Sequence, residues 1–271
     1  MRGITLQTPT RFLSFIVLIC ACGLPALADP IPVRHQQGTV HGFLELRSDD
    51  GRVLASGDIV QVARGDQVTA RVLFRFKDGS IDDETTVFSQ RRTFRLISDR
   101  RIQKGPFFPH PMDILIDARK NQITERSTGK DGKEEMITSH LDLPADLANG
   151  MVPLIVENIS PAAPQTTVPM LVATPKPRVV KLVISPQVED TFSVAGASNR
   201  GLHFEIKIDL GGVAGVLAPM IGKQPPDIQL WIVGGEAATF LREHGPIYPD
   251  GPSLNIELTS PVWSDLPAQS K

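Results

Sequence analysis

The chain has 271 residues, of which 41% are hydrophobic and 21% are charged. Its 28 Lys and Arg residues against 30 Asp and Glu residues give a net charge of −2. This balance excludes a disordered chain and a strongly basic nucleic-acid-binding protein. The apolar content is enough for one sizeable core or two small ones.

The N-terminal segment has the three parts of a secretory signal peptide. Two arginines flank or precede an apolar run, residues 12–24, and the small residues Ala26 and Ala28 mark a cleavage site. The run is too short for a membrane span, which needs about 20 residues. We therefore predict a signal peptide over residues 1–28, a mature chain starting at Asp29, and no transmembrane span after cleavage.

Two alternatives for the N-terminus stay open, an uncleaved anchor and a lipid-modified Cys22. The preceding Ile19-Cys20-Ala21 is a poor lipidation motif. An exported protein is expected in the periplasm, with an extracellular or outer-membrane-associated location as the alternatives. The mature chain would contain no cysteine, which excludes a thiol nucleophile and a cysteine metal site.

Period-2 alternation of apolar and polar residues dominates the mature chain. It is clearest in residues 68–77 (VTARVLFRFK) and 203–210 (HFEIKIDL), and it indicates strands with one buried and one solvated face. Weaker copies occur at residues 39–47, 53–62, 84–89, 93–102, 112–117, 134–141, 179–184, 227–233 and 254–258. Turns are predicted between strands at Asp50-Gly51, Asp78-Gly79, Asp131-Gly132 and Asp250-Gly251.

One segment lacks this alternation. Residues 143–150 (LPADLANG) predict one or two helical turns that end at Gly150, and residues 151–159 predict a second short helix. The prolines that follow predict a connection, with a sub-structure boundary near 160–170. The fold class is therefore mainly β, an antiparallel meander forming an open or half β-barrel with one short helical insertion near 143–159, in a single domain over residues 29–271.

Known catalytic motifs are not met. The glycine-rich residues 211–215 lack the spacing of a phosphate loop, and Ser198 does not lie in a G-x-S-x-G motif. The histidines have no metal-binding spacing. We therefore predict no catalytic residue, no metal and no cofactor.

The densest acidic cluster is Asp82-Asp83-Glu84. On a strand, Asp82 and Glu84 share a face and could bind Ca²⁺ or serve as an acid–base pair. The commoner role is exposed ion pairing across a hairpin with Arg91, Arg92 or Arg95, worth under about 1 kcal/mol per pair. A second charged run, residues 100–104, is expected to be a solvated strand end.

The most apolar irregular segment is residues 213–221 (VAGVLAPMI), which Pro219 interrupts. Phe107 and Phe108 form a second apolar group that looks exposed. Such segments need a cover, which is the core, a partner or a ligand. In one interpretation the segment packs into the core and closes one end of the barrel. In the other it lines an apolar pocket. Tyr248 and Trp231 could provide the few polar contacts that such pockets use. The predicted ligand-binding residues are Phe107, Phe108, Val216, Leu217, Met220, Ile221 and Trp231.

Four stretches resemble an uncharacterised family of bacterial envelope β-proteins: residues 41–44, 82–90, 142–150 and 222–227. The resemblance implies an exported protein and no particular activity. More loosely, the signal peptide, the long meander and the short helical insertion are similar to the unclosed β-barrels of lipoprotein-carrier proteins. That second likeness is architectural and assigns a role to no residue.

These observations favour a non-enzymatic envelope protein that binds an apolar ligand such as a lipid or acyl chain. One alternative is a structural or interaction scaffold that pairs with another envelope protein through an exposed sheet edge. A further alternative is a hydrolase that uses carboxylates such as those of Asp82 and Glu84. No nucleic-acid partner is expected.

Overall fold

The computed structural model describes residues 30–128, 133–160, 162–173, 176–194, 197–210, 225–236 and 238–259. The predicted signal peptide, the turn at Asp131-Gly132 and the apolar residues 213–221 lie outside these ranges. The described chain is mainly β, with antiparallel pairing throughout and one helix. No described helix has the length and apolar character needed to cross a membrane.

The first eight strands form a continuous meander in which each strand pairs with the next. Their bounds are β1 Val40–Arg47, β2 Val53–Arg64, β3 Gln67–Phe76, β4 Ile81–Ser89, β5 Arg95–Lys104, β6 Met112–Asp117, β7 Gln122–Thr128 and β8 Glu134–His140. The predicted turns at Gly51 and Gly79 are confirmed, since both glycines have positive φ, +82° and +86°. β1, β2, β3 and β6 alternate buried and more exposed residues, as the period-2 pattern predicts.

The single described helix, α1 Val152–Asn158, separates this meander from the remaining strands. Those strands are β9 Thr166–Val172, β10 Arg178–Pro186, β11 Asp190–Val194, β12 Ala197–Asp209, β13 Ile228–Val233, β14 Thr239–Pro246 and β15 Ser253–Thr259. The two sets join where β1 pairs with β15, so the sheet runs from β8 to β1, then from β15 to β12, β10 and β9, with β11 paired to β12. In the described chain β8 and β9 do not pair, and the sheet is not closed.

The helical prediction for residues 143–150 is wrong. These residues form turns and irregular backbone, and Leu147 and Ala148 are fully buried in the main core. Asn149 binds the backbone of Leu171 through both side-chain groups, at 2.8 and 3.0 Å. Residues 141–151 are here called the plug. Its Ala148 and Asn149 bond to the edge of β9, and its earlier part bonds to Asn121 and Leu96. The adjacent prediction of residues 151–159 as helix agrees with α1.

The prediction of a plain connection after the helix is also wrong, because residues 166–172 are β9. The prolines that suggested a connection are compatible with a strand here, since β9 ends the strand path and Pro169 is tolerated at an edge. The main apolar core contains buried residues from both sides of the 160–170 region, for example Phe88 and Phe204. A second apolar cluster, around Leu46, Phe74 and Leu254, lies near β1 and β15.

Candidate functional site

A cavity of about 740 Å³ lies inside the curved sheet, between the two apolar clusters. Its volume falls within the range of about 300–1,000 Å³ that is typical of small-molecule sites. Apolar atoms form the larger part of its wall surface, and polar side chains form the rest. The apolar wall comprises Val40, Leu44, Ile59, Ala70, Val72, Phe74, Phe88, Val152, Leu154, Met170, Phe240, Ile247, Ile256 and Leu258.

The sheet places these side chains by its alternation. On β3, Ala70, Val72 and Phe74 face the cavity, while Arg71 and Arg75 on the same strand form outward ion pairs. The plug and α1 contribute the facing wall, through Gly150 and Leu154 among others. The cavity is therefore a product of the sheet's curvature and of the insertion that only partly fills it.

A group of polar side chains, here called the interior polar cluster, faces this cavity or lies next to it. It consists of Asp82, Glu84 and Thr86 on β4, Asp99, Arg101 and Gln103 on β5, and Glu243 on β14. In β4 and β5 these polar residues point inward, where other strands place apolar ones. This reversal is why the cluster looks solvent-exposed in the sequence.

Arg101 organises the cluster. Its guanidinium donates two hydrogen bonds to the Asp82 carboxylate, at 3.0 and 2.7 Å, and one to the carbonyl of Ile247 at 3.0 Å. Gln103 donates to the same two partners, at 3.0 Å to Asp82 and 2.8 Å to Ile247. Since Ile247 follows β14, these bonds connect the two halves of the sheet across the interior.

The prediction that Asp82 pairs with Arg91, Arg92 or Arg95 on the surface is therefore wrong. Asp82 is only 4% exposed and pairs with Arg101. The expectation of a solvated strand end at Arg100, Arg101 and Lys104 is wrong for Arg101 for the same reason, whereas Arg100 and Lys104 face solvent. Asp83 does point outward, but its partner is Arg71, with nitrogen–oxygen distances of 2.8 and 2.7 Å.

Several carboxyl groups around the cavity have a raised pKa. Burial raises the pKa of Glu84, and burial together with the nearby Glu84 raises the pKa of Asp99 well above its usual range. Burial also raises the pKa of Glu243 to about 7, an effect that Arg101 opposes. Burial lowers the pKa of Arg101, but Asp82 and Glu84 more than offset this and raise it overall, so the guanidinium stays charged.

Glu157 on α1 is a fourth such carboxyl. Burial raises its pKa to about 7, although it accepts a hydrogen bond from the Phe240 amide at 2.9 Å. Within the described ranges, no three His, Cys, Asp or Glu side chains are arranged to hold a metal ion. The carboxyl groups can instead bind a polar group of a ligand in the cavity. Each accepts hydrogen bonds from that group, and in its protonated form it can also donate one.

The described residues that the sequence predicted as ligand-binding lie outside this cavity wall. Phe108 is 3% exposed and packs with Phe76, Phe107 and Tyr248 in a cluster of aromatic rings. This cluster adjoins Phe74 and Ile247, which do line the cavity. The apparent exposure of Phe107 and Phe108 in the sequence is thus removed by aromatic packing.

Trp231 is placed away from the cavity. Its ring stacks on His203 with centroids 4.6 Å apart, and the Arg242 guanidinium lies 5.2 Å from its centroid. The neighbouring Leu230 and Ile232 point into the main core, so Trp231 occupies the opposite face of β13. The other predicted ligand-binding residues, Val216, Leu217, Met220 and Ile221, lie outside the described residues.

Sequence reasoning missed most of the actual cavity wall. Asp82, Glu84 and the apolar face of β3 were identified as patterns, but neither Arg101 nor Glu243 was connected to them. The sequence of β5 does show that Arg101 and Gln103 share one strand face and that Ile102 lies on the other. Alternation alone does not say that the polar face is the inward one.

No protein-family model and no curated protein matches this chain. A solved structure that is similar to it is the β-barrel-like protein of the domain of unknown function DUF1849 from Brucella abortus. The identity is 9% and the TM-score 0.47, over 84% of this chain and 99% of that chain. At this score the likeness carries no argument about function.

Proposed function

We propose that this protein is a non-enzymatic cell-envelope protein that binds an apolar ligand, such as a lipid or acyl chain, in the cavity inside its sheet. The observation that supports the proposal is the cavity of about 740 Å³ with its mainly apolar wall. Burial of apolar surface is the main favourable contribution to binding in such a cavity. The envelope location rests on the predicted signal peptide.

The interior polar cluster adds a preference for one end of the ligand. Glu84 and Glu243 line the cavity, and burial raises the pKa of both. A raised pKa favours the neutral carboxyl, which costs less to bury without a partner than a carboxylate does. A ligand with a hydroxyl or amine at one end can use these carboxyl groups as partners. An amphiphile of that kind therefore suits the cavity better than a pure hydrocarbon.

The test is titration of the purified mature protein with Nile red, an uncharged probe that fluoresces in apolar surroundings. Val72→Phe places a larger side chain in the cavity, and we expect it to weaken binding at least tenfold. Thr69→Phe is the matched control, because residue 69 lies on the same strand and alternates to the other face. Equal binding by both variants, with unchanged melting temperatures, would refute the cavity as the ligand site.

The same preparations also address the hydrolase alternative. Both oxygens of Asp82 already accept hydrogen bonds from Arg101, so that carboxylate is engaged in structure, whereas Glu84 faces the cavity. Turnover of p-nitrophenyl glycosides or esters that Glu84→Gln abolishes would replace the binding proposal with an enzymatic one.

The scaffold alternative is a second candidate because β8 ends the strand path with two exposed apolar residues. Met136 and Ile137 are 66% and 58% exposed. An exposed edge strand offers backbone groups for pairing with another chain. A partner that pairs with this edge would support the scaffold function without involving the cavity.

A further inference from the structure

Residues 31–38 form an irregular segment before β1, here called the N-terminal strap. Five consecutive strap residues line the cavity, namely Arg34, His35, Gln36, Gln37 and Gly38. An isolated bridge joins Pro32 to Thr93, but the strap does not belong to a named strand. One boundary of the cavity is therefore a segment held differently from the strands around it.

The strap extends between the two walls of the cavity. At one end the Val33 amide donates to the carbonyl of Arg92 at 2.9 Å, in the connection between β4 and β5. Further along, the His35 ring nitrogen lies 3.1 Å from the carbonyl of Glu236, between β13 and β14. Between these contacts, Asn158 at the end of α1 accepts hydrogen bonds from the amides of Arg34 and His35, each at 2.8 Å.

Side-chain amides hold the rest of the strap. The Gln90 side chain accepts from the Gln37 amide at 2.6 Å and donates to the Gln37 carbonyl at 3.0 Å. The Gln61 side chain donates to the Gln37 side chain and to the Gly38 carbonyl, both at 3.1 Å. Gln90 and Gln61 are 3% and 5% exposed, so the anchors are rigidly placed while the strap rests on them.

These contacts differ from a strand ladder in a way that affects opening. Two backbone hydrogen bonds, Val33 to Arg92 and Phe94 to Ile31, hold the start of the strap, and residues 34–38 are bound mainly through side chains. A segment bound in this way opens locally at a smaller free energy than a strand in the middle of a sheet. We propose that the N-terminal strap is a gate to the cavity, and that a ligand reaches the cavity when the strap releases Gln90, Gln61 and Asn158. This inference concerns access and goes beyond the binding function proposed above.

The test measures strap opening and cavity access separately, without a ligand. The background is the chain from Asp29, which contains neither native cysteine, with Ala70→Cys placing a thiol in the cavity wall. Hydrogen exchange of the Arg34, His35 and Gln37 amides reports strap opening. The rate at which a small methanethiosulfonate reagent modifies the introduced thiol reports access.

Gln90→Leu removes both bonds to Gln37 and replaces the buried glutamine with an apolar side chain of similar size. Loss of two hydrogen bonds predicts that both the amide exchange and the thiol modification accelerate about tenfold. Gln61→Leu removes the other two bonds, should accelerate both by a similar factor, and serves as the second variant if Gln90→Leu does not fold. Gln229→Leu is the control, since it removes a hydrogen bond to His203 that does not involve the strap.

The two rates together decide the matter. Faster amide exchange with unchanged thiol modification would show that access lies elsewhere and would overturn the gate. Unchanged exchange in both anchor variants would overturn it as well, because the anchors would not be what holds the strap. Since neither readout uses a ligand, failure of the binding function in the Nile red titration is distinguished from failure of the gate.

Discussion

At the scale of single residues, Arg101 and Arg71 allow a direct comparison of a buried and an exposed ion pair. Both arginines make bidentate contacts to an aspartate on β4, Arg101 to Asp82 and Arg71 to Asp83. The Arg101 and Asp82 side chains are 31% and 5% exposed, whereas those of Arg71 and Asp83 are 52% and 16% exposed. The two pairs therefore share chemistry and differ in solvation.

We expect Arg101→Met to reduce the free energy of unfolding by about 3–5 kcal/mol, because it leaves the Asp82 carboxylate buried without its cation. Arg71→Met should cost less than about 1 kcal/mol, since solvent screens the exposed pair. Urea denaturation followed by circular dichroism measures both. Equal losses in the two variants would show that the interior polar cluster is more hydrated than its burial indicates.

The residue scale is also where sequence reasoning about the site was least successful. It identified Asp82 and Glu84 because they lie two residues apart and therefore share a strand face. It could not connect them with Glu243, because β4 and β14 are distant in the sequence and meet only across the interior. The carboxyl groups also lie on strands whose inward face is polar, so the usual rule that polar residues face solvent gave the wrong side.

At the scale of elements, the plug is fixed at Gly150. This residue has φ of +65°, a region that favours glycine. A β-carbon there would clash with the Thr86 hydroxyl oxygen and lie 2.8 Å from Oδ1 of Asp99. Thr86 donates to that same Asp99 oxygen at 2.8 Å, so the plug rests directly on the interior polar cluster.

Gly150→Ala should therefore destabilise the protein by about 3 kcal/mol, from backbone strain and from displacement of the hydrogen-bonded pair. Gly51→Ala is the matched control, because Gly51 also has positive φ, +82°, but has open space where the β-carbon would lie. It should cost about 1 kcal/mol. Both variants introduce backbone strain, but only Gly150→Ala introduces a clash with Thr86 and Asp99. The difference between their losses of stability in thermal unfolding therefore measures the cost of that clash.

Strand alternation predicted most elements, and its failures have identifiable causes. β14 was missed because Glu243 occupies an inward position and Gly245 another, so the expected apolar residues are absent. β9 was missed because Pro169 suggests a connection, although an edge strand accepts it. Residues 143–150 were predicted as helix because their buried Leu147 and Ala148 mimic a helical pattern, while hydrogen bonds to neighbouring strands hold them in a different conformation.

At the scale of the whole molecule, two half-buried carboxyl groups contribute to the pH dependence of stability, beside Glu84 and Asp99. The pKa values of Glu157 and Glu243 rise from an ordinary 4.5 to about 7 in the folded protein. The folded state thus holds these protons more tightly than the unfolded state. Stability is greatest below about pH 4.5 as far as these groups are concerned, and it decreases as the pH rises towards 7.

Glu243→Gln should reduce this decrease, because glutamine keeps the shape of the protonated carboxyl and does not ionise. The recovered stability at pH 8 should be at most about 3 kcal/mol, from the size of the pKa shift, with the contribution of Glu157 remaining. Melting temperatures between pH 4.5 and 8 measure the effect, with Glu134→Gln on exposed β8 as the control. If the melting temperature of the variant falls with pH as steeply as that of the parent, Glu243 is not the group responsible.

The pairing of β1 with β15 also determines when the molecule can be completed. Leu44 lies opposite Leu258, so a chain made from its N-terminus displays one side of β1 without a neighbour until almost the last strand has been synthesised. The early meander can form locally, but the two halves cannot be joined before β15 has been synthesised. Chaperones that shield nascent strand edges would therefore have the whole interval between the synthesis of β1 and that of β15 in which to act.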